Sequence, residues 1–250
     1  LRFTFAASIL IWWFPIPKKY LKKIFIASLV ANTLQYSITY SGLNLIDASA
    51  AVLLVQTEVP FGVIFAFFLL REKPTIRSLV GITIAFIGVY ILTGSPNLDD
   101  KFIGIFLTIL GSAIWALGQV LVKPLSKEIN PLALVAWLAL FSGPLLITLS
   151  SIIDGDTIYY LKNANKYSWI IAFYLGFMMQ PITYGCFYYV LKNNPLYKVL
   201  PIVTMGIPLT GLLAAIFLLG EKPTLELFIG GIIILIGVII IIFNLGKKKN

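Results

Sequence analysis

The chain has 250 residues, of which 59% are hydrophobic and only 12% charged, and its mean hydropathy is +0.96. A water-soluble domain is nearer half apolar and a quarter charged, so a soluble globular protein is excluded and lipid must solvate most of this chain. The formal charge of +9 does not point to nucleic acid, because the 19 Lys and Arg residues cluster between apolar runs. Histidine is absent, which excludes His-based triads and His metal sites. The single Cys186 allows neither an intrachain disulfide nor a multi-thiolate centre. No metal is expected.

A helix that crosses the hydrocarbon core needs about 20 apolar residues. In chain order the segments that fit are Leu1–Phe14, Ile24–Leu43, Ala48–Leu70, Ser78–Leu92, Phe102–Val122, Leu132–Ile153, Trp169–Leu191, Tyr197–Leu219 and Leu225–Phe243. The first is short and begins at Leu1 with no cleavable signal peptide, so the true amino terminus is expected to lie upstream. Short polar connections separate the spans: PIPKKYLKK, NLID, REKPTIR, TGSPNLDDK and KPLSKEINP. Asp47, just before ASAAVLL, reads as an N-cap. Lys and Arg divide fourteen to five between alternate sides when nine spans are threaded consistently, which places the lysine tail in the cytoplasm.

FLLREKPT at Phe68–Thr75 recurs as FLLGEKPT at Phe217–Thr224, an offset of 149. Across Phe68–Ile91 and Phe217–Ile240, 13 of 24 pairs are identical, among them Gly81/Gly230 and Gly88/Gly237. Tyr40/Tyr189, Asn44/Asn193 and Gly62/Gly211 extend the match. Convergence of apolar helices explains paired Ile and Gly but explains EKPT poorly, so one multi-helix unit has been duplicated. The flanking charges change sign, Arg71, Lys73 and Arg77 in one copy against Glu226 in the other, as expected if the copies face opposite sides. Pro74 and Pro223 are expected in the first turn of the last helix of each unit, with Glu72 and Glu221 near that same helix start. The expected architecture is an all-α polytopic membrane protein, an inverted repeat of five-helix units. Residues 1–92 form a first repeat lacking its first helix, 93–101 a linker, and 102–250 a second repeat ending in the lysine tail. Four and five spans are present in the two repeats. Such inversion is the plan of alternating-access transporters, which hold substrate near midplane where the units meet.

These residues carry a family resemblance. The paired GEKPT…IGV ends, Arg2, LGSAIWALGQVLVKPL, the stretch Ile129–Gly155, and YKVLPIVTMGIPLTGLLAA at Tyr197–Ala215 resemble the drug/metabolite transporter superfamily. Within it they resemble the EamA-like ten-helix permeases, and in detail bacterial exporters of cysteine and O-acetylserine. The resemblance implies a central cavity lined by both halves, no cofactor, cytoplasmic termini and a bacterial inner-membrane location. The first helix of that plan has no counterpart in this sequence.

Glu58 is the sharpest candidate site residue, eleventh in the 23-residue span Ala48–Leu70. A charge at that depth costs about 2.5–3.5 kcal/mol on insertion scales, so a neutralised or cavity-facing carboxyl is expected. Pro60 removes one helical hydrogen bond and is expected to free the Gln56 carbonyl, so that Gln56, Thr57 and Glu58 gather at a bend. Glu58 then binds a substrate amine or carries a proton; the alternative is a carboxylic acid hydrogen-bonded to a neighbouring helix for packing alone. Asn32, Gln35, Tyr36, Thr39 and Tyr40 form one polar stripe, and Gln180, Thr183, Tyr184, Phe187 and Tyr188 form another in the equivalent span. Such stripes line a cavity or merely bond helix to helix. Gly104, Gly111 and Gly118 mark a close-packing face, and Ser112, Trp115 and Gln119 a second polar face. Pro201 and Pro208 break the penultimate span and release the carbonyls of Tyr197 and Thr204. Lys198 stands where related exporters also carry a basic residue, and either meets a substrate carboxylate or snorkels to the interface. Arg2 is an interfacial anchor or a cavity cation.

The expected function is secondary transport of a small polar metabolite, an amino acid or derivative, with proton-coupled export if Glu58 exchanges protons. Flipping of a lipid-linked headgroup is the alternative. A membrane-embedded enzyme ranks lower, because Glu58 without histidine supplies no catalytic set. The expected partners are that metabolite and membrane lipid, with no nucleic acid, and the protein is a monomer or homodimer.

Overall fold

A computed structural model of the chain describes residues 1–94, 101–153, 155, 157–204 and 206–243. The linker core 95–100 and the lysine tail lie outside the described residues. Among those described, the regular elements are all helical: α1 Arg2–Leu10, α2 Leu21–Ser28, α3 Gln35–Leu43, α4 Ala48–Val55, α5 Glu58–Leu70, α6 Ile76–Thr93, α7 Phe102–Glu128, α8 Pro131–Ile153, α9 Thr157–Asn163, α10 Lys166–Tyr174, α11 Gln180–Asn193, α12 Leu196–Thr204, α13 Gly206–Leu219 and α14 Leu225–Phe243. This is the outcome lipid imposes, because a helix alone satisfies every peptide group within its own segment. The protein is an all-α polytopic membrane protein. Among the described residues, six helical stretches are long and apolar enough to cross a bilayer: Ala48–Leu70, Ile76–Thr93, Phe102–Glu128, Pro131–Ile153, Lys166–Asn193 and Leu196–Leu219, with Leu225–Ile241 apolar but shorter. Large apolar side chains face outward; Phe68 and Phe217, partners in the repeated FLL, are 70% and 78% exposed. Lipid, not water, suits such a surface.

The chain divides into two compact units, 1–37 with 121–193 and 38–120 with 194–250. Each takes helices from both sequence halves. In the first unit α1 packs on α8 through Phe3, Ala6, Ala7 and Ala139, with Tyr36, Leu140 and Leu146 against them. Trp137 Nε1 donates to the Phe14 carbonyl at 3.0 Å.

In the second unit the core joins α4, α6 and α14 through Ala50, Leu53, Leu54, Val89, Leu92, Leu227 and Ile234. The helices α6 and α14 touch at their repeated glycines. A Cβ on Gly81 would lie 2.6 Å from the Gly237 carbonyl oxygen, and one on Gly88 would lie 2.8 Å from that of Gly230. Low numbers on one helix thus meet high numbers on the other, so the two run antiparallel. Residues 71–75 and 220–224 consequently sit at opposite ends of this pair. In lipid, close backbone approach across small residues replaces the hydrophobic drive that holds soluble helices together. Gly88→Val is therefore expected to lower the melting temperature in detergent by several degrees, because overpacking at a rigid contact costs about 1–3 kcal/mol. Thermal-shift chromatography checks this. Gly104 and Gly111 also sit at close contacts, against Ile46 and Thr39.

Several local expectations need correction. KPLSKE is not a connection: α7 runs on to Glu128 because Lys, Leu, Ser and Glu all tolerate helix and Pro124 does not end it. Pro74 and Pro223 lie outside their helices rather than in the first turn. Thr75 and Thr224 cap instead, accepting at 3.3 Å from the N–H groups of Ser78 and Leu227. Asp47 occupies the N-cap position of α4 but makes no side-chain cap bond, and pairs with Lys101 at 3.1 Å. Glu72 and Glu221 do not serve the helix that follows them. Glu72 accepts from the N–H groups of Leu196 and Tyr197 at 3.1 and 3.3 Å, the start of α12. Glu221 accepts from Ala48 and Ser49 at 2.8 and 2.9 Å, the start of α4.

Candidate functional site

The span 48–70 is helical only up to Val55 and again from Glu58. Leu53 and Leu54 accept from Gln56 and Thr57 at 3.1 and 3.0 Å, three residues back rather than four. The Gln56 carbonyl is not free: with Pro60 unable to donate, Val59 N–H reaches it at 3.1 Å. The chain thus tightens where a loose carbonyl was expected, since a three-residue step satisfies the group that proline abandons. Regular bonding resumes with Phe61 N–H to the Thr57 carbonyl at 3.1 Å. Thr57 is itself engaged, its hydroxyl donating to Leu54 O at 2.7 Å.

This tight turn carries two buried polar side chains, Gln56 at 0% and Glu58 at 5% exposure. Neither amide atom of Gln56 and not Oε1 of Glu58 has a hydrogen-bond partner. Buried polar groups are ordinarily paired, and orphans inside an apolar helix are costly enough to require a reason. Around them Val59 and Val63 pack with Ile82, Val238 and Ile241. Gln119 in α7 is likewise buried with an unpartnered Oε1. Ser112 turns back to its own helix, donating to Thr108 O at 2.9 Å, and Trp115 is half-buried. Tyr40 is 53% exposed. Lys198 is half-buried, its ammonium 6.0 Å from the Tyr197 ring centre. Pro201 lies within α12, and Pro208 in the first turn of α13.

The first unit holds Asn32, Gln35 and Tyr36 of one polar stripe and all of the other. Tyr36 and Tyr184 meet hydroxyl to hydroxyl at 3.2 Å. Arg2 donates to the Tyr36 hydroxyl and lies over the rings of Tyr36 and Phe3 at 4.6 and 4.9 Å. That stacked guanidinium joins the tyrosine pair. Asn32 instead donates to Ser142 at 3.0 Å, an interhelical bond buried on both sides. Tyr188 and Gln180 are buried at 2% and 6%, as is Gln35. Thr183 is exposed and Phe187 buried.

Both stripe-bearing helices are interrupted by a π-helical segment, Leu29–Leu34 and Leu175–Met179, and each segment ends at a buried glutamine, Gln35 and Gln180. Such wide turns recur at functional sites. Side-chain periodicity carries no sign of them, since they alter the backbone bonding register alone. Lys123, assigned from sequence to a cytoplasmic connection, is buried in α7 and donates to the Leu191 carbonyl in the last turn of α11.

At the end turn of the second unit, burial would raise the Glu221 carboxyl, but hydrogen bonds from Ser49 and Ala48 and the charge of Lys101 outweigh it and hold it below the usual carboxylate range. With a folded pKa below the unfolded one, the cap stabilises above the unfolded value and is lost as pH falls through the lowered one.

Exposed apolar side chains along the helices, with polar groups buried within the spans, mark a protein that works in a membrane. The model of the EamA-like transporter family matches residues 1–94 and 102–243. An Escherichia coli (strain K12) protein described as a probable amino-acid metabolite efflux pump is 27% identical over 258 residues, spanning 100% of this chain and 86% of that protein. An uncharacterized transporter of Archaeoglobus fulgidus is 28% identical over 247 residues, 97% of this chain and 86% of that one. One solved crystal structure shares the fold with a TM-score of 0.70 at 15% identity, covering 99% of this chain and 87% of its own. The chain belongs to the EamA-like transporter family.

Proposed function

We propose that this chain is a secondary transporter that exports a small polar metabolite, an amino acid or derivative, by alternating access between two inverted repeats. It works in the cytoplasmic membrane with its carboxyl terminus inside, and it is a carrier rather than an enzyme. The observation that carries this reading is the tight turn at Gln56–Glu58, where three unpartnered polar atoms are held inside an apolar helix. A solute amine would satisfy Glu58 and the Gln56 amide together, and a proton exchanged at Glu58 would couple transport to the gradient. The efflux pump named for the E. coli relative agrees with this choice of cargo.

Purified protein in liposomes loaded with isotope-labelled amino acids and their O-acetyl derivatives tests it. Release of at least one of them, stimulated by an imposed proton gradient and absent from protein-free liposomes, is the expected result. Equal leakage in both would remove the reading.

A further inference from the structure

The helices α5 and α13 end alike. Arg71 with φ 55° and Gly220 with φ 69° are equivalent in the repeat, and both adopt the left-handed conformation. The following N–H groups, of Glu72 and Glu221, return to the equivalent carbonyls of Ala66 and Ala215 at 3.1 and 3.2 Å. Each turn aims its carboxylate at a helix from the other half of the sequence, 124 and 173 residues away. Pro195, before α12, offers no side-chain acceptor, and Asp47, before α4, is held by Lys101. Bidentate acceptance by an ionised carboxylate makes each a strong, directional contact. It lies in a connection between spans, where water can replace it when it opens. The two contacts stand at opposite ends of the antiparallel α6–α14 pair. One holds α4, whose far end leads into Glu58, and the other holds α12, which carries Pro201.

We infer that Glu72 and Glu221 are a pair of exchange latches, each closing one end of the transport path by holding the first turn of α12 or α4, and released one at a time. This inference rests on the transport reading above. The positive-φ turns supply the lever, because a residue in an ordinary helical conformation at 71 or 220 would carry the glutamate on around the helix instead of across. Release of a latch exposes two N–H groups to water at that end only, so the opposite end stays shut.

The test uses the full chain with Cys186→Ser and a single Thr57→Cys reporter, labelled by a membrane-impermeant maleimide in right-side-out and inverted vesicles. Glu72→Ala is expected to raise the labelling rate roughly tenfold from the face of residues 71–75, and Glu221→Ala from the face of residues 220–224, in line with the loss of a helix cap. Glu72→Gln and Glu221→Gln, which keep one acceptor, should shift the rate the same way by less, and they stand in if an alanine variant fails to fold. Rates within twofold of the parent on both faces, in variants that melt as the parent does, would overturn the inference; so would both variants opening the same face. No substrate is required, so latch failure with intact flux is distinguishable from absent flux with intact latches.

Discussion

Replacing Glu58 by glutamine is expected to cut gradient-driven solute accumulation about tenfold or more, a loss of ~1.4 kcal/mol of coupling at the least, while leaving insertion and folding intact. The substitution keeps the length and the hydrogen-bonding shape of a side chain that is 5% exposed, and removes only its capacity to exchange a proton or hold a charge. Packing supports this separation of effects, since Val59 and Val63 next to it carry the helix contacts. If Glu58 were there for packing alone, the amide would serve as well, because Oε1 has no partner to lose. Counterflow of the same solute without a gradient should persist in the variant at a weakened affinity, because the amide oxygen still accepts from the solute amine. Accumulation in the variant that still tracks the imposed pH difference as in the parent would sink the role.

Cysteines placed at Lys73 and Lys222 in a Cys186→Ser background should label from opposite faces of the membrane, residue 73 from the cytoplasmic one. Both positions are exposed, so reagent access is not limited by burial. The contacts of Gly81 with Gly237 and of Gly88 with Gly230 require α6 and α14 to run in opposite senses, and each helix starts three or fewer residues after its labelled position. A membrane-impermeant maleimide that modifies both from one face would contradict the inverted duplication, and alternating access would fall with it.

The repeat ends were legible because EKPT and the seven-residue glycine spacing answer to purely local needs: a threonine cap, a tight turn and a bare helix face. The polar spans were legible because amide and carboxyl groups are rare in lipid, and each is conspicuous in the sequence. What the glutamates of EKPT hold was not legible, since a carboxylate that serves a helix 124 or 173 residues away leaves no trace in its neighbourhood. The fate of the Gln56 carbonyl is hidden from the sequence for a related reason. Proline removes a particular donor, but which N–H then fills the gap is decided by backbone geometry, not by side-chain identity. KPLSKE has the composition of a loop, yet burial beside the end of α11 gives the Lys123 ammonium a carbonyl to meet. The short helix α9, with Tyr159 and Tyr160 largely exposed, is polar enough to have read as connection.

The wide turns before Gln35 and Gln180 have a mechanical consequence. Each ring there encloses one residue more than an α turn, so each rod stores a spare residue of contour, about 1.5 Å of length and ~100° of rotation. Migration of that slack by a single step would swivel the adjoining glutamine by roughly a quarter revolution while the rod's two ends stay put. Two rods with matching slack can therefore re-aim their side chains without sliding through the bilayer.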